Sequence, residues 1–173
     1  MSVSDRNNIG YQYTDRPLYW ISVIYLNFAE AKAEMGSLTQ DDLNNSINKL
    51  QARAGLPAMT TTPDADPANN MGVSNLIWEI RRCRRCELIM DNWYRYWDLI
   101  RWHQLDKLDS TKYPNTMLGA NVSNVPDCEE ATKNGYIDAS DAQIRTYEAK
   151  HYFYPIPTTQ LTLNKNMKQN PGW

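Results

Sequence analysis

The densest run of groups able to do chemistry spans Glu79 to Asp91, where Glu79, Arg81, Arg82, Arg84, Arg85, Glu87 and Asp91 interleave both signs of charge. Glu79 and Arg82 stand three apart, as do Arg84 and Glu87, the spacing at which side chains pair on a helix surface. Such a run predicts a solvated or ion-paired structural helix. A nucleic-acid footprint needs a basic excess, whereas the chain carries 18 basic and 20 acidic side chains for a net charge of −2. Glycoside hydrolysis needs two carboxyls across a cleft. Glu79, Glu87, Asp91 and Asp98 fall on neighbouring predicted helices, but no spacing among them is diagnostic, so a hydrolase stays a distant alternative. No G-x-S-x-G, H-E-x-x-H or Gly-rich phosphate loop occurs. His103 and His151 are the only histidines; they offer little acid–base capacity and lack metal-ligand spacing. Cys83 and Cys86 form a C-x-x-C inside a helical run, with Cys128 the third cysteine. Three thiols make no disulfide framework, and the pair lacks both a βαβ context and a second pair for zinc. No catalytic, cofactor or metal site is expected.

The other candidate chemistry is aromatic. The chain has six Trp and eleven Tyr against two Phe. Both favoured rings combine a large apolar face with a polar tip, which suits half-wet surfaces, sugar-binding ones included, as well as cores. Five of them, Trp93, Tyr94, Tyr96, Trp97 and Trp102, lie within ten residues. At helical spacing they cannot all point inward: Trp93 and Trp97 share one face, and Asp98, Arg101 and Trp102 another. Arg101 is expected to pair with Asp98 while Trp102 covers its stem. The segment reads either as an aromatic platform for a sugar or as a helix docked between two layers.

Helices must position these groups. The chain has 173 residues, the size of one domain or slightly more, and no run of about 18 apolar residues predicts a membrane-spanning helix. No n-region and h-region of a signal peptide opens it. Pro17 is expected to start a long helix, with Ile21, Ile24, Tyr25, Phe28, Ala31 and Met35 recurring at three- and four-residue steps. Leu18, Val23 and Leu26 widen its apolar surface, and Gly36 stops it. Thr39 with Asp42 reads as a capping-box variant for a second helix with the stripe Leu43, Ile47, Leu50, Ala54, ended by Gly55 and Pro57. Two helices joined by a short turn form an antiparallel hairpin, and this pair resembles one tetratricopeptide unit.

Residues 57–72, rich in Pro, Thr and Asn, predict a loop. A third helix is expected from Ser74 to about Met90, with Val73 and Trp78 placed for a staple. A fourth is expected from Trp93 to about His103, capped by Asp91-Asn92. Beyond it, short strands are expected near Val122 and Tyr136-Ile137, and another over 147–154. Pro155-Ile156-Pro157 forces extended geometry. Thr158 or Thr159 is expected to cap a short helix over Gln160–Leu163, and Asn170-Pro171-Gly172 signals a turn.

Several of these segments resemble the SusD/RagB family. Tyr25 to Lys32 is similar to its LNYAEAK-type helix, and Ile47 to Pro57 to its NKIRARAGLP-type segment. Ile80 to Leu88 with Arg95 to Trp102 resembles its ERR-x-EL and R-x-x-DL-x-RW helices. Tyr152 to Pro157 and Gln169 to Trp173 are similar to its closing Y-x-x-PIP and QNPG-aromatic signatures. The matches occur in family order and reach the last residue. Cys83 departs from the pattern, standing where the family usually has the Glu of ERR-x-EL, and the Asp91-Asn92-Trp93-Tyr94 link replaces an acid–Gly turn.

The resemblance implies a mainly α fold: a tetratricopeptide-like helical hairpin and further helices, with irregular loops and minor β in the carboxy-terminal part. One SusD/RagB-like carboxy-terminal domain is expected over 1–173. It comprises an extended lead-in (1–16), the hairpin (17–57), a loop (58–72), two helices (73–103) and a loop-rich part (104–173). The implied function is non-catalytic glycan or nutrient binding in an outer-membrane polysaccharide uptake system of Bacteroidetes-like bacteria. The implied partners are a glycan or other nutrient and a SusC-like TonB-dependent transporter, with no nucleic acid. Family members are longer lipoproteins exposed on the outer membrane. The chain is therefore expected to be a carboxy-terminal portion without its anchor and signal peptide, either an excised piece or a truncated gene product. A pure interaction scaffold is the rival reading. The resemblance assigns no binding residue.

Overall fold

The computed structural model describes residues 19–89, 94–125, 132–138 and 143–173. Their contacts form two compact units, residues 1–91 and 92–173. The described part is mainly helical with one small sheet, the fold class expected from the sequence.

The first unit holds α1 (Ile21–Glu34), α2 (Gln40–Asn44), α3 (Ile47–Arg53) and α4 (Asn75–Glu87). The start expected at Pro17 lies outside the described residues. Trp20 is extended and precedes α1 as its cap, with no side-chain cap bond. Periodicity also chose the wrong face of this helix. Val23, Leu26, Ala29 and Glu30 are buried, while Ile21, Ile24, Phe28 and Met35 are exposed. A helix apolar on two sides leaves the choice to its partners. Here polar pairing decides it. Asn27, Glu30 and Glu34 recur at helical spacing and meet α4, where Arg81 Nε donates to Glu30 at 3.0 Å, Arg81 Nη2 to Glu34 at 3.0 Å, and Arg84 Nη1 to Asn27 at 2.8 Å.

The second predicted helix is in fact two. Thr39 and Asp42 form the capping box that starts α2. The chain then breaks at Asn45-Ser46, because two short polar side chains compete for the helix carbonyls. Asn45 Nδ2 donates to Asp41 O at 3.0 Å and Ser46 Oγ to Asp42 O at 2.6 Å. Leu43, Ile47 and Leu50 still share one buried face across the break; Ala54, the last member of the expected stripe, is exposed. Both α1 and α3 end in Schellman closures: Ser37 N–H donates to Lys32 O and Leu56 N–H to Gln51 O, each at 2.9 Å.

The loop after α3 is tied down. The Asn48 amide brackets the buried Met59, accepting from its N–H at 2.7 Å and donating to its carbonyl at 3.1 Å. Trp78 Nε1 donates to Asp66 at 3.1 Å. Ser74 caps α4 as expected, accepting from Ile77 N–H at 3.3 Å. On α4 the Glu79–Arg82 pair forms. The other expected pair is replaced: Glu87 reaches Arg53, and Arg84 turns inward, buried, to Asn27.

The second unit opens with α5 (Tyr94–Arg101), whose expected first residue, Trp93, lies outside the described residues. Leu99, Trp102 and Leu105 form its buried apolar centre. The sheet has the order β1-β3-β2, with β1 Leu118–Asn121, β2 Thr132–Lys133 and β3 Tyr136–Asp138, all antiparallel. Asn134 (φ 54°) and Gly135 (φ 80°) turn β2 into β3, the Asn-Gly chemistry of a two-residue hairpin. Gly135 has no room for a side chain, since a Cβ there would sit 2.0 Å from Ser123 Oγ.

The strand expected over 147–154 is instead a single 3₁₀ turn, Ala149–Tyr152, closed by reciprocal bonds between Glu148 and His151. The local cap outcompetes an alternating pattern that has no neighbouring strand to pair with. The short helix near the end, α6 (Thr158–Leu163), starts two residues earlier than expected. Pro157, not a threonine, holds the cap position, its fixed φ already suited to a helix entry.

Candidate functional site

Within the second unit a cavity of about 270 Å³ opens beside the 3₁₀ turn. Its walls are aromatic: Tyr96 from α5, Tyr147 and His151 around the turn, and Phe153, Tyr154 and Trp173 from the carboxy-terminal segment. Leu105, Leu108 and Pro155 complete the apolar lining, with Arg145 and Thr146 at one side. Phe153, Tyr154 and Trp173 are 55, 66 and 47 % exposed, so large ring surfaces stand in solvent beside the cavity.

Backbone bonding fixes these rings. Gln169 accepts from Ile156 N–H at 2.8 Å and donates to Ile156 O at 2.9 Å, and Asn170 Nδ2 donates to Tyr154 O at 2.6 Å. Gly172, with φ 87°, then brings Trp173 back over the turn. Its indole N–H donates to Phe153 O at 3.0 Å and Lys150 O at 3.2 Å. The ring meets His151 edge-on at 5.9 Å between centroids, and Lys150 Nζ lies 5.2 Å from its centre. Opposite, the Tyr96 and Tyr154 hydroxyls are 3.3 Å apart, and that contact raises the Tyr96 pKa above the usual phenol value. Tyr147 and Tyr152 meet edge to face at 5.6 Å. Burial, then the Tyr152 hydroxyl, pushes the Tyr147 phenol up. The Tyr96 and Tyr147 phenols therefore keep their protons at physiological pH.

The 145–147 segment is pinned to the chain before the sheet. Ser110 N–H donates to Arg145 O, and Arg145 N–H donates to Ser110 Oγ, each at 2.9 Å. Tyr147 N–H donates to Asp109 at 3.3 Å. The Thr111 hydroxyl, first among the bonds to Asp109, holds that carboxyl below the usual carboxylate range. His151 Nδ1 accepts from Glu148 N–H at 2.9 Å, which leaves Nε2 as the ring's N–H donor.

Of the described aromatics in the segment singled out in the sequence, Tyr96 lines the cavity, and Trp93 lies outside the described residues. Trp97 is exposed and packs edge-on against Tyr96 at 5.5 Å. Trp102 is buried beneath Arg95 and Arg101, whose guanidinium carbons lie 6.0 and 5.2 Å from its ring centre. The expected Asp98–Arg101 contact is present at 3.3 Å. The remaining rings come from 147–154 and Trp173, which the sequence reading passed over as a strand and a tail; four aromatics between Tyr147 and Tyr154 were the available signal.

Cys83 is half-buried on α4, its Sγ 4.0 Å from Gln51 Nε2, and burial pushes the thiol up to about 12. Cys86 is exposed, and Cys128 lies outside the described residues. Among the described residues no cluster of His, Cys, Asp and Glu could hold a metal ion, and no helix is long and apolar enough to cross a membrane.

The model of the SusD family matches residues 1–173. Among solved structures, BT4246 is similar at 28 % identity with a TM-score of 0.64, over 93 % of this chain and 24 % of that one. A SusD-like protein (BF3747) from Bacteroides fragilis NCTC 9343 is similar at 25 % identity with a TM-score of 0.59, over 88 % of this chain and 25 % of that one. The chain thus spans about a quarter of the length of these structures. No curated protein matches it.

Proposed function

This chain belongs to the SusD family, and we propose that it is part of a non-catalytic, surface-exposed nutrient-binding protein that captures glycan at the outer membrane of a Bacteroidetes-like bacterium and passes it to a TonB-dependent transporter. In this reading a lipid anchor elsewhere in the full-length protein holds it to the membrane. The observation that supports ligand capture is the set of exposed rings beside the aromatic cavity, Phe153, Tyr154 and Trp173. A pyranose presents C–H groups on one face and hydroxyls at its edge. Flat rings with nearby phenol, imidazole and guanidinium donors match both. Binding by stacking and hydrogen bonds requires no bond cleavage.

The test is calorimetric and fluorescence titration of the chain and its Trp173→Ala variant against a panel of soluble oligosaccharides and polysaccharides. Saturable binding of one glycan class that Trp173→Ala weakens at least about tenfold, the loss of roughly 1.4 kcal/mol, supports the reading. A flat response from a folded chain refutes a ligand site in these residues.

A second reading rests on α1. Tyr19, Trp20, Ile21, Ile24, Phe28 and Met35 are all exposed; those within α1 follow helical spacing, a contiguous apolar stripe of the kind that marks protein contacts. In this reading the first unit is a docking scaffold for the transporter or for another part of a longer protein. A glycan-blind chain that binds the transporter through this stripe would favour it.

A further inference from the structure

We propose that the aromatic cavity of the second unit is built for an anionic sugar, a uronate or sulfate-bearing residue, with Arg145 as the group that recognises its charge; this rests on the glycan-capture reading above. The first observation is the balance of charge on the walls. Among the described residues the lining side chains include Arg145 and His151 and no Asp or Glu. Sites for neutral sugars need acceptors for the sugar hydroxyls, and ionised carboxylates are the strongest available ones. Here the guanidinium can only donate, the imidazole donates from Nε2, and the protonated phenols can donate or accept. A pocket whose described side chains include a guanidinium and no Asp or Glu is complementary to a ligand that brings its own negative charge.

The second observation is that Arg145 is placed and its head is uncommitted. Its backbone is locked on both sides by Ser110, while the guanidinium has no ion-pair or hydrogen-bond partner among the described residues. Glu148, three residues on, and Asp109, beside the Ser110 that holds the Arg145 backbone, are occupied. Glu148 pairs with Lys150 at 3.3 Å, and Asp109 is engaged by Thr111 and by Tyr147 N–H. A planar guanidinium offers two parallel donors, the geometry a carboxylate or sulfate accepts. The third observation is size. A cavity of about 270 Å³ lies just under the roughly 300–1,000 Å³ of sites for drug-sized ligands, which suits one sugar unit with its neighbours along the exposed rings.

The experiment titrates the full chain and the Arg145→Met, Arg145→Lys and Trp173→Ala variants. The probes are oligogalacturonides, their methyl esters, neutral galacto-oligosaccharides and sulfated galactan oligosaccharides, at low and high salt. Arg145 is exposed, so its variants should fold, and circular dichroism with thermal melting checks this. Expected is saturable binding of an anionic probe, weakened at least about tenfold by Arg145→Met or by raised salt, as for a lost charge-assisted bond. Arg145→Lys should restore part of the affinity. Dependence on Arg145 for the galacturonide that methyl esterification abolishes assigns a carboxylate; the same dependence for the sulfated probe alone assigns a sulfate. Neutral probes bound as tightly as anionic ones, or binding that Arg145→Met leaves unchanged while Trp173→Ala weakens it, overturn the anionic assignment and leave glycan capture standing. No binding of any probe by the folded chain overturns both.

Discussion

Replacing Arg81 by methionine should be among the most damaging single changes in the first unit. The Glu30 carboxylate is buried, with 3 % side-chain exposure, and the Arg81 guanidinium that reaches it at 3.0 Å is 11 % exposed. Methionine keeps most of the aliphatic stem but removes the charge. Breaking a buried pair from one side takes this partner from a desolvated carboxylate, at about 3–5 kcal/mol. The Glu34 arm of the same guanidinium adds little, because Glu34 is 47 % exposed and such pairs are worth about 0–1 kcal/mol. Two companion variants isolate the cause. Arg53→Met breaks a pair whose arginine is 64 % exposed and should cost under about 1 kcal/mol. Glu30→Gln combined with Arg81→Met removes the stranded charge and should recover much of the loss. Urea unfolding, with hydrogen exchange at α1 and α4 amides to localise the effect, measures all three. If Arg81→Met costs no more than Arg53→Met, or if Glu30→Gln does not rescue it, the view that this polar ladder orients α1 is refuted.

Two further outcomes follow from groups elsewhere in the chain. Asp42, held at about 2 instead of 3.8 chiefly by its Lys32 bond and then by Thr39, is depressed in the folded state. Its contribution is therefore present above about pH 4 and lost as pH falls toward 2; NMR titration should find the low value, and Asp42→Asn should flatten stability across that window. Gly172→Ala places a Cβ 2.9 Å from Lys150 Cβ at φ 87°, a left-handed position costing a side chain about 1–2 kcal/mol. It should lower the melting temperature and shift Trp173 emission to the red, and unchanged emission would show that Gly172 does not set the ring.

Helix starts and stops were the most legible part of the sequence, because they depend on few neighbouring residues. Thr39, Ser74 and Gly36 act where their chemistry places them. Faces and continuity were less legible. The α1 pattern fitted two faces equally, and the deciding contacts lie some 50 positions away, between Glu30 and Arg81. The break at Ser46 required weighing Asn45 and Ser46 as competitors for carbonyls against an unbroken apolar stripe. The Asn134-Gly135 hairpin was readable from its turn chemistry, which the strand expected at Tyr136-Ile137 left unused. For the site, composition pointed to aromatics but local density pointed to the wrong helix. Trp102 is core and Tyr96 is wall, and periodicity within α5 does not distinguish them, because the cavity is closed by residues more than 50 positions further on.

The two closing signatures acquire a physical sense in this arrangement. Y-x-x-PIP and QNPG-aromatic are separated in sequence by α6, yet they form one clasp. Ile156 lies between two prolines, so the helical and strand partners its N–H and C=O would otherwise find are denied to it. The Gln169 amide supplies both bonds in their place. Asn170 does the same for the Tyr154 carbonyl. Pro171-Gly172 then completes a reversal that only glycine fits, given Lys150 beneath it. Every ring that the clasp fixes, Phe153, Tyr154 and Trp173, is exposed at the cavity. A half-exposed Trp gains less from an ordered orientation than a buried one and loses side-chain entropy by adopting it. Under the proposed glycan capture, such a clasp meets the ordering cost on folding and not on binding.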